Sequence, residues 1–108
     1  MSGKWELLNA SGMKPPPSHS SSIFHYKSEL FVVGGLTKQT RGIEEAKCVN
    51  QLFAYGVNSN DWRQCGETPF AYFGCSSVVR GNFAYITGGS RIEGLTCSQL
   101  FRLDCGLF

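Results

Sequence analysis

Short apolar runs alternate with turn-forming residues along the whole chain. The runs are rich in β-branched and aromatic residues and lie at positions 21–26, 30–33, 51–57, 75–79, 83–87 and 99–103. Between them lie the turn sequences Lys27-Ser28, Asn58-Ser59-Asn60 and Gly81-Asn82. Such runs, bounded by such turns, predict short β-strands and no substantial helix.

The strand pattern repeats along the chain. Residues 30–35 (LFVVGG) align with residues 84–89 (AYITGG), an offset of 54 taken from position 34 to position 88. Residues 50–53 (NQLF) match residues 98–101 (SQLF) at an offset of 48, from position 52 to position 100, so the second copy has a shorter loop. A period near 50 residues made of short strands predicts the blades of a β-propeller.

The motifs of each copy resemble the kelch repeat. An apolar strand ends in Gly34-Gly35, a variable loop follows, and Tyr55 precedes Trp62 with six residues between them. The resemblance implies an all-β fold with about two four-stranded antiparallel blades of a kelch β-propeller. It also implies a division into residues 1–8, the outer strand of a preceding blade; 9–64, a first complete repeat; and 65–108, a second repeat lacking its last strand.

The resemblance assigns a structural role to glycines and aromatic residues of both copies. Paired glycines let backbones approach near the propeller axis, and a large ring on the outer strand fills the gap between blades. The residues concerned are Gly34, Gly35, Gly88, Gly89, Tyr55, Trp62 and Trp5.

Two blades do not close a propeller, which normally has four to eight. Unclosed blades leave strand edges and apolar faces open to other chains. We therefore expect the chain to be a fragment of a longer propeller that needs further blades of the same protein. A ring of three copies is the alternative.

Charge and cysteine usage exclude several functions. The net charge is +2 and the basic residues do not cluster, which argues against nucleic acid as a partner. No apolar run approaches the roughly 20 residues of a membrane helix, and the polar N-terminus does not resemble a signal peptide. The five cysteines form no CxxC pair and are odd in number, which predicts free thiols in a reducing, cytoplasmic location.

No group of residues predicts catalysis, a metal or a cofactor. His19 and His25 have no third ligand at a suitable spacing. The serines at positions 18 and 20–22 lack a placed base and acid. We expect a protein that is not an enzyme, although a kelch-type enzyme or a carbohydrate-active propeller remains an alternative.

The resemblance to kelch propellers implies that two kinds of loop share one face, and the candidate binding residues lie in these loops. One kind of loop follows each Gly-Gly pair, at residues 36–49 and 90–97, and the other leads into each innermost strand, at residues 9–19 and 65–73. Arginine and tyrosine are the residues most often found at interface hot spots. The candidate partner-binding residues are Arg91, Arg41, Lys38, Tyr72 and Glu93.

One feature departs from the family pattern. Kelch repeats often carry an arginine after the proline that leads into the innermost strand, and in some adaptors it holds acidic peptides. Here Pro17 and Pro69 are followed by Ser-His and Phe-Ala. The resemblance implies a protein–protein interaction module, as in the BTB-kelch and F-box-kelch substrate adaptors of ubiquitin ligases. The missing arginines argue against acidic-peptide recognition by these two blades. An actin or cytoskeletal scaffold is a further alternative.

Overall fold

The computed structural model describes residues 3–37 and 46–107. It contains ten short strands and one turn of 3-10 helix, Cys105–Leu107. The strands are β1 (Ser11–Gly12), β2 (Ser22–Tyr26), β3 (Glu29–Val33), β4 (Leu36–Thr37), β5 (Lys47–Cys48), β6 (Gln51–Gly56), β7 (Asp61–Glu67), β8 (Ser76–Arg80), β9 (Phe83–Thr87) and β10 (Leu100–Asp104).

The first blade is a sheet in the order β1-β7-β6-β3-β2. Strands β2, β3, β6 and β7 pair antiparallel in sequence order, as expected of a meander. Strand β1 adds a short parallel pairing along the outer edge of β7, with Ser11 opposite Asp61.

The second blade is a sheet in the order β10-β9-β8, again antiparallel. Its register reproduces that of the first blade, since Phe24 pairs with Phe31 and Val78, 54 positions after Phe24, pairs with Tyr85. The turns also correspond: Lys27 has a φ of 53° and Gly81 a φ of 63°. The repeat seen in the sequence is therefore a repeat of backbone geometry.

One hydrophobic core lies between the two blades. Its buried residues alternate along each strand, because successive side chains of a strand point to opposite faces. Phe24 and Phe31 stack with ring centroids 5.1 Å apart, and Phe70, from the segment joining the blades, lies 4.9 Å from the Phe101 ring. The buried core residues are Phe24, Phe31, Val33, Leu52, Ala54, Phe70, Ala84, Ile86 and Cys105.

Polar contacts join the innermost strands of the two blades, β2 and β8. Ser77 Oγ donates to the Ile23 carbonyl (3.1 Å), so the Ser22 hydroxyl donates to Ser77 Oγ (2.6 Å). At the other end of the strands the Tyr26 hydroxyl donates to Asn82 Oδ1 (2.8 Å). These bonds fix how the blades face each other, on both sides of the apolar core.

The all-β fold of kelch-propeller blades predicted from the sequence is confirmed. All seven strands expected in the two copies are present, and the structure adds three two-residue strands, β1, β4 and β5. Residues 3–10 form no strand, and Trp5 is 98% exposed. The assignment of residues 1–8 to the outer strand of a preceding blade stays a prediction, because that blade would lie outside these two sheets. The boundaries of the two repeats also stay predictions. None of the helices in the described ranges could span a bilayer.

Candidate partner-binding face

The loops that follow the Gly-Gly pairs lie beside the loops that lead into β2 and β8. His19 forms an antiparallel bridge with Leu36, and Phe73 forms the equivalent bridge with Ser90. Gly35 N donates to the Tyr72 carbonyl (3.1 Å), which joins the first blade to the segment entering the second. The described parts of these loops that make the contacts lie at one end of the molecule, which we call the loop face.

A positive φ and a lack of room for a side chain explain the second glycine of each pair. Gly35 has a φ of +108°, and a Cβ there would lie 2.5 Å from Ser21 Oγ. Gly89 has a φ of +91°, and a Cβ there would lie 2.8 Å from the Phe73 carbonyl oxygen. Both the positive φ and the lack of room for a Cβ favour glycine at these two positions, where the loops of the loop face approach each other closely.

The loop of residues 90–97 is a tight hydrogen-bonded hairpin. Ser90 bridges Thr96, Arg91 N donates to the Leu95 carbonyl (2.8 Å), and Gly94 N donates to the Arg91 carbonyl (2.9 Å). The Arg91 backbone is thus fixed at both its N–H and its C=O. Among the described residues no side-chain hydrogen bond or ion pair uses the Arg91 guanidinium.

Two open grooves meet at Arg91. One, of about 430 Å³, lies between the β5 segment and the 90–97 hairpin and is lined by Ala46, Lys47, Cys48, Ala71, Arg91, Ile92 and Glu93. The other, of about 360 Å³, is lined by Tyr72, Arg91, Leu95, Thr96, Cys97, Ser98 and Gln99. Both grooves are lined by Arg91, and the first also carries charges of both signs, on Lys47 and Glu93.

Tyr72 is oriented by its neighbours in the second groove. Its hydroxyl donates to Gln99 Oε1 (3.1 Å), and its ring stacks on Phe70 with centroids 5.4 Å apart. A hydrogen-bonding contact with the Cys97 side chain raises the pKa of Tyr72, so the phenol is neutral at pH 7.

In the first groove, burial raises the pKa of the Cys48 thiol. The thiol is therefore protonated there, and both grooves offer donors as well as acceptors.

The structure brings together three of the five residues predicted to bind a partner: Arg91, Tyr72 and Glu93. Lys38 and Arg41 lie outside the described residues. Sequence reasoning missed Gln99 and Lys47, which line the grooves from strand ends and carry no motif that would mark them. The assignment of these residues to partner binding stays a prediction.

Other candidate residues have plain structural surroundings. His19 Nδ1 contacts Ser20 Oγ at 2.9 Å, whereas His25 is exposed on β2. Within the described ranges no cluster of His, Cys, Asp and Glu could hold a metal ion. All five cysteines are free, and Cys105, 1% exposed, fills a core position.

Tyr55 and Trp62, from β6 and β7, lie on the face of the first blade that points away from the second. Their ring centroids are 5.2 Å apart, and the Tyr55 hydroxyl donates to Asn60 Oδ1 (2.7 Å). They line an apolar groove of about 280 Å³ with Leu8, Ala10, Ile23 and Leu30. These two aromatic residues of the repeat thus pack beside apolar side chains on the face of the first blade that points away from the second blade.

Comparison with known proteins finds kelch-repeat proteins. The chain is 30% identical over 87 residues to Kelch repeat and BTB domain-containing protein 12 of Danio rerio, covering 79% of the chain and 14% of that protein. It is 30% identical over 104 residues to a kelch domain-containing protein of Saccharolobus solfataricus, covering 93% and 13%. The solved structure of YjhT matches with a TM-score of 0.60 and 25% identity, covering 69% of the chain and 22% of YjhT. No protein-family model matches the chain.

The repeated blades and these relatives define the class: the chain is built of kelch repeats and belongs to the kelch-type β-propeller proteins. It carries about two blades and spans 14% and 13% of the two curated relatives described above.

Proposed function

We propose that the chain contributes part of a protein-binding surface and that the loop face, centred on Arg91, touches the partner. The observation that carries this proposal is that two grooves converge on a guanidinium with no partner among the described residues. An arginine on a fixed backbone, next to an oriented tyrosine, is typical of interface hot spots.

The finer proposal is a substrate adaptor of a ubiquitin ligase, acting in the cytoplasm. It is supported by the name of the Danio rerio relative, which contains a BTB domain as well as kelch repeats. Reading the transcript beyond this sequence tests the finer proposal. A BTB or F-box segment in the same reading frame is the expected result, and a secretory leader would contradict it.

The loop-face proposal is tested with purified protein. A partner is first identified by proximity labelling with the longest natural product that contains this chain. Its affinity is then measured by calorimetry for the wild type and for Arg91→Ala. Since removing a hot-spot side chain costs about 2 kcal/mol or more, we expect binding to weaken about 30-fold or more.

Lys27→Gly is the control for loss of a positive charge, because Lys27 is exposed in the turn between β2 and β3, at the end of the strands away from the loop face, and its φ of 53° suits glycine. It should leave the affinity unchanged. Unchanged affinity in Arg91→Ala, with a melting temperature equal to that of the wild type, would rule out the loop face as the site.

A further inference from the structure

Each blade buries one face of its sheet in the shared core and turns the other face away from the neighbouring blade. The open face of the second blade, which we call the second outer face, consists of side chains that alternate with the core residues of β8, β9 and β10. Val78 is 63% exposed and Leu100 65% exposed. The residues of this face are Val78, Arg80, Phe83, Tyr85, Leu100 and Arg102.

The core between the two blades shows how such a face is covered. By the repeat offsets and the matching registers, Val78, Tyr85 and Arg102 occupy the places that Phe24, Phe31 and Ala54 occupy in the first blade. Those three residues are buried against the second blade, Ala54 completely at 0% exposure. The second outer face is therefore the same kind of docking surface with different chemistry.

The main difference is charge. Arg102 replaces the buried Ala54, and its guanidinium lies 4.5 Å from the centroid of the Phe83 ring on the same face. Arg80 stands in the place of Tyr26. Asp104 shares this face, but its Oδ1 accepts from Gly106 N (3.0 Å) within its own chain. A blade that covers this face must meet two guanidinium groups, and buried charges are tolerated only when paired.

The contact made by Tyr26 indicates what Arg80 would meet. Tyr26 donates to Asn82, in the turn between the first two strands of the next blade. In an interface of the same geometry, Arg80 would reach the equivalent turn of the blade that follows it. In a second copy of this chain that turn is Lys27-Ser28, which brings a cation to a cation. Like charges placed opposite each other across an interface are destabilising.

We propose that the blade covering the second outer face carries a carboxylate in the turn that receives Arg80, and that a second copy of this chain is therefore not that blade. A charge-assisted hydrogen bond to a carboxylate is the strong partner for a guanidinium. The short span of the chain within its relatives is consistent with such a blade in a longer protein.

The test uses the chain itself as the probe. Light scattering after size exclusion, over a range of concentrations, gives the mass of the wild type, of Lys27→Gly, and of the double variant Lys27→Gly/Ser28→Asp. The double variant reproduces the Gly81-Asn82 turn with a carboxylate in place of the amide, and Lys27 already has a positive φ that glycine adopts. Circular dichroism checks that each variant is folded.

We expect the wild type and Lys27→Gly to run at the mass of one chain and the double variant to self-associate about tenfold more tightly or better, since hydrogen bonds to charged groups are the stronger ones. Adding Arg80→Ala to the double variant should abolish the gain. A wild-type trimer would overturn the proposal in favour of a ring of copies. A folded double variant that associates no more tightly than the wild type would also overturn it.

Discussion

Gly35 shows how a single residue can determine the loop face. Its φ of +108° costs a residue with a side chain roughly 1–2 kcal/mol, and the contact of an added Cβ with Ser21 Oγ at 2.5 Å adds an overpacking cost of about 1–3 kcal/mol. We therefore expect Gly35→Val to lower the free energy of unfolding by the sum of both effects, measured by guanidinium denaturation.

Gly88→Val is the matched control, because Gly88 has a φ of +79° but nothing lies within 4 Å of an added Cβ. It should show only the conformational cost. If both variants lose the same stability, close approach at Gly35 is not what selects glycine there.

At the residue scale, the sequence predicts structural positions better than binding positions. Gly35 and Gly89 are recognisable because a glycine pair directly after an apolar strand indicates a backbone conformation or a close approach that a side chain would prevent. Gln99, which accepts from Tyr72, could not be predicted, because its role depends on a contact across 27 positions in the chain. Polar groove residues carry no periodicity, whereas core residues do.

At the scale of the strands, β2 and β8 are held side by side by the hydroxyl of Ser77. Removing it leaves the buried Ser22 hydroxyl without the acceptor it uses now, and an unpaired buried donor costs about 1–3 kcal/mol. We expect Ser77→Ala to reduce the free energy of unfolding by an amount in this range, measured by chemical denaturation.

The neighbouring Ser76→Ala provides the comparison, since Ser76 is exposed on the other face of the same strand. Its effect should stay within about 0.5 kcal/mol. The double variant Ser22→Ala/Ser77→Ala should be less destabilised than Ser77→Ala alone, because no hydroxyl is then left unpaired. Additive losses would show that the two serines are not coupled.

The strands could be predicted from the sequence where an apolar pattern extends over five or more residues. Strands β2, β3, β8, β9 and β10 each have five residues that alternate between the core and the opposite face, whereas β6 is buried over residues 52–55 and is indicated by its apolar run instead. Strands β1, β4 and β5 have two residues each, which is too short for any period, and their pairing depends on distant partners. The parallel pairing of β1 with β7 joins residues 50 positions apart, Ser11 with Asp61, so no local signal predicts it.

At the scale of the whole molecule, the two blades share their core and neither has a separate one. Buried residues of both sheets and of the segment joining them form one cluster. Small domains with a single core usually unfold in one cooperative step. Because the core is shared, a substitution that destabilises one blade should also lower the stability of the other blade.

Ile86→Ala tests this coupling. Ile86 is 4% exposed in β9 of the second blade, and truncation to alanine typically costs about 2–5 kcal/mol. In a Trp5→Phe background, the fluorescence of Trp62 reports on the first blade alone, because the chain has two tryptophans. We expect the Trp62 transition to move to lower temperature in Ile86→Ala and to coincide with the loss of β circular dichroism.

Val78→Ala, on the second outer face, should shift neither signal appreciably. An unchanged Trp62 transition in Ile86→Ala would mean that the first blade folds without the second, and the shared core would then not be what holds the blades together.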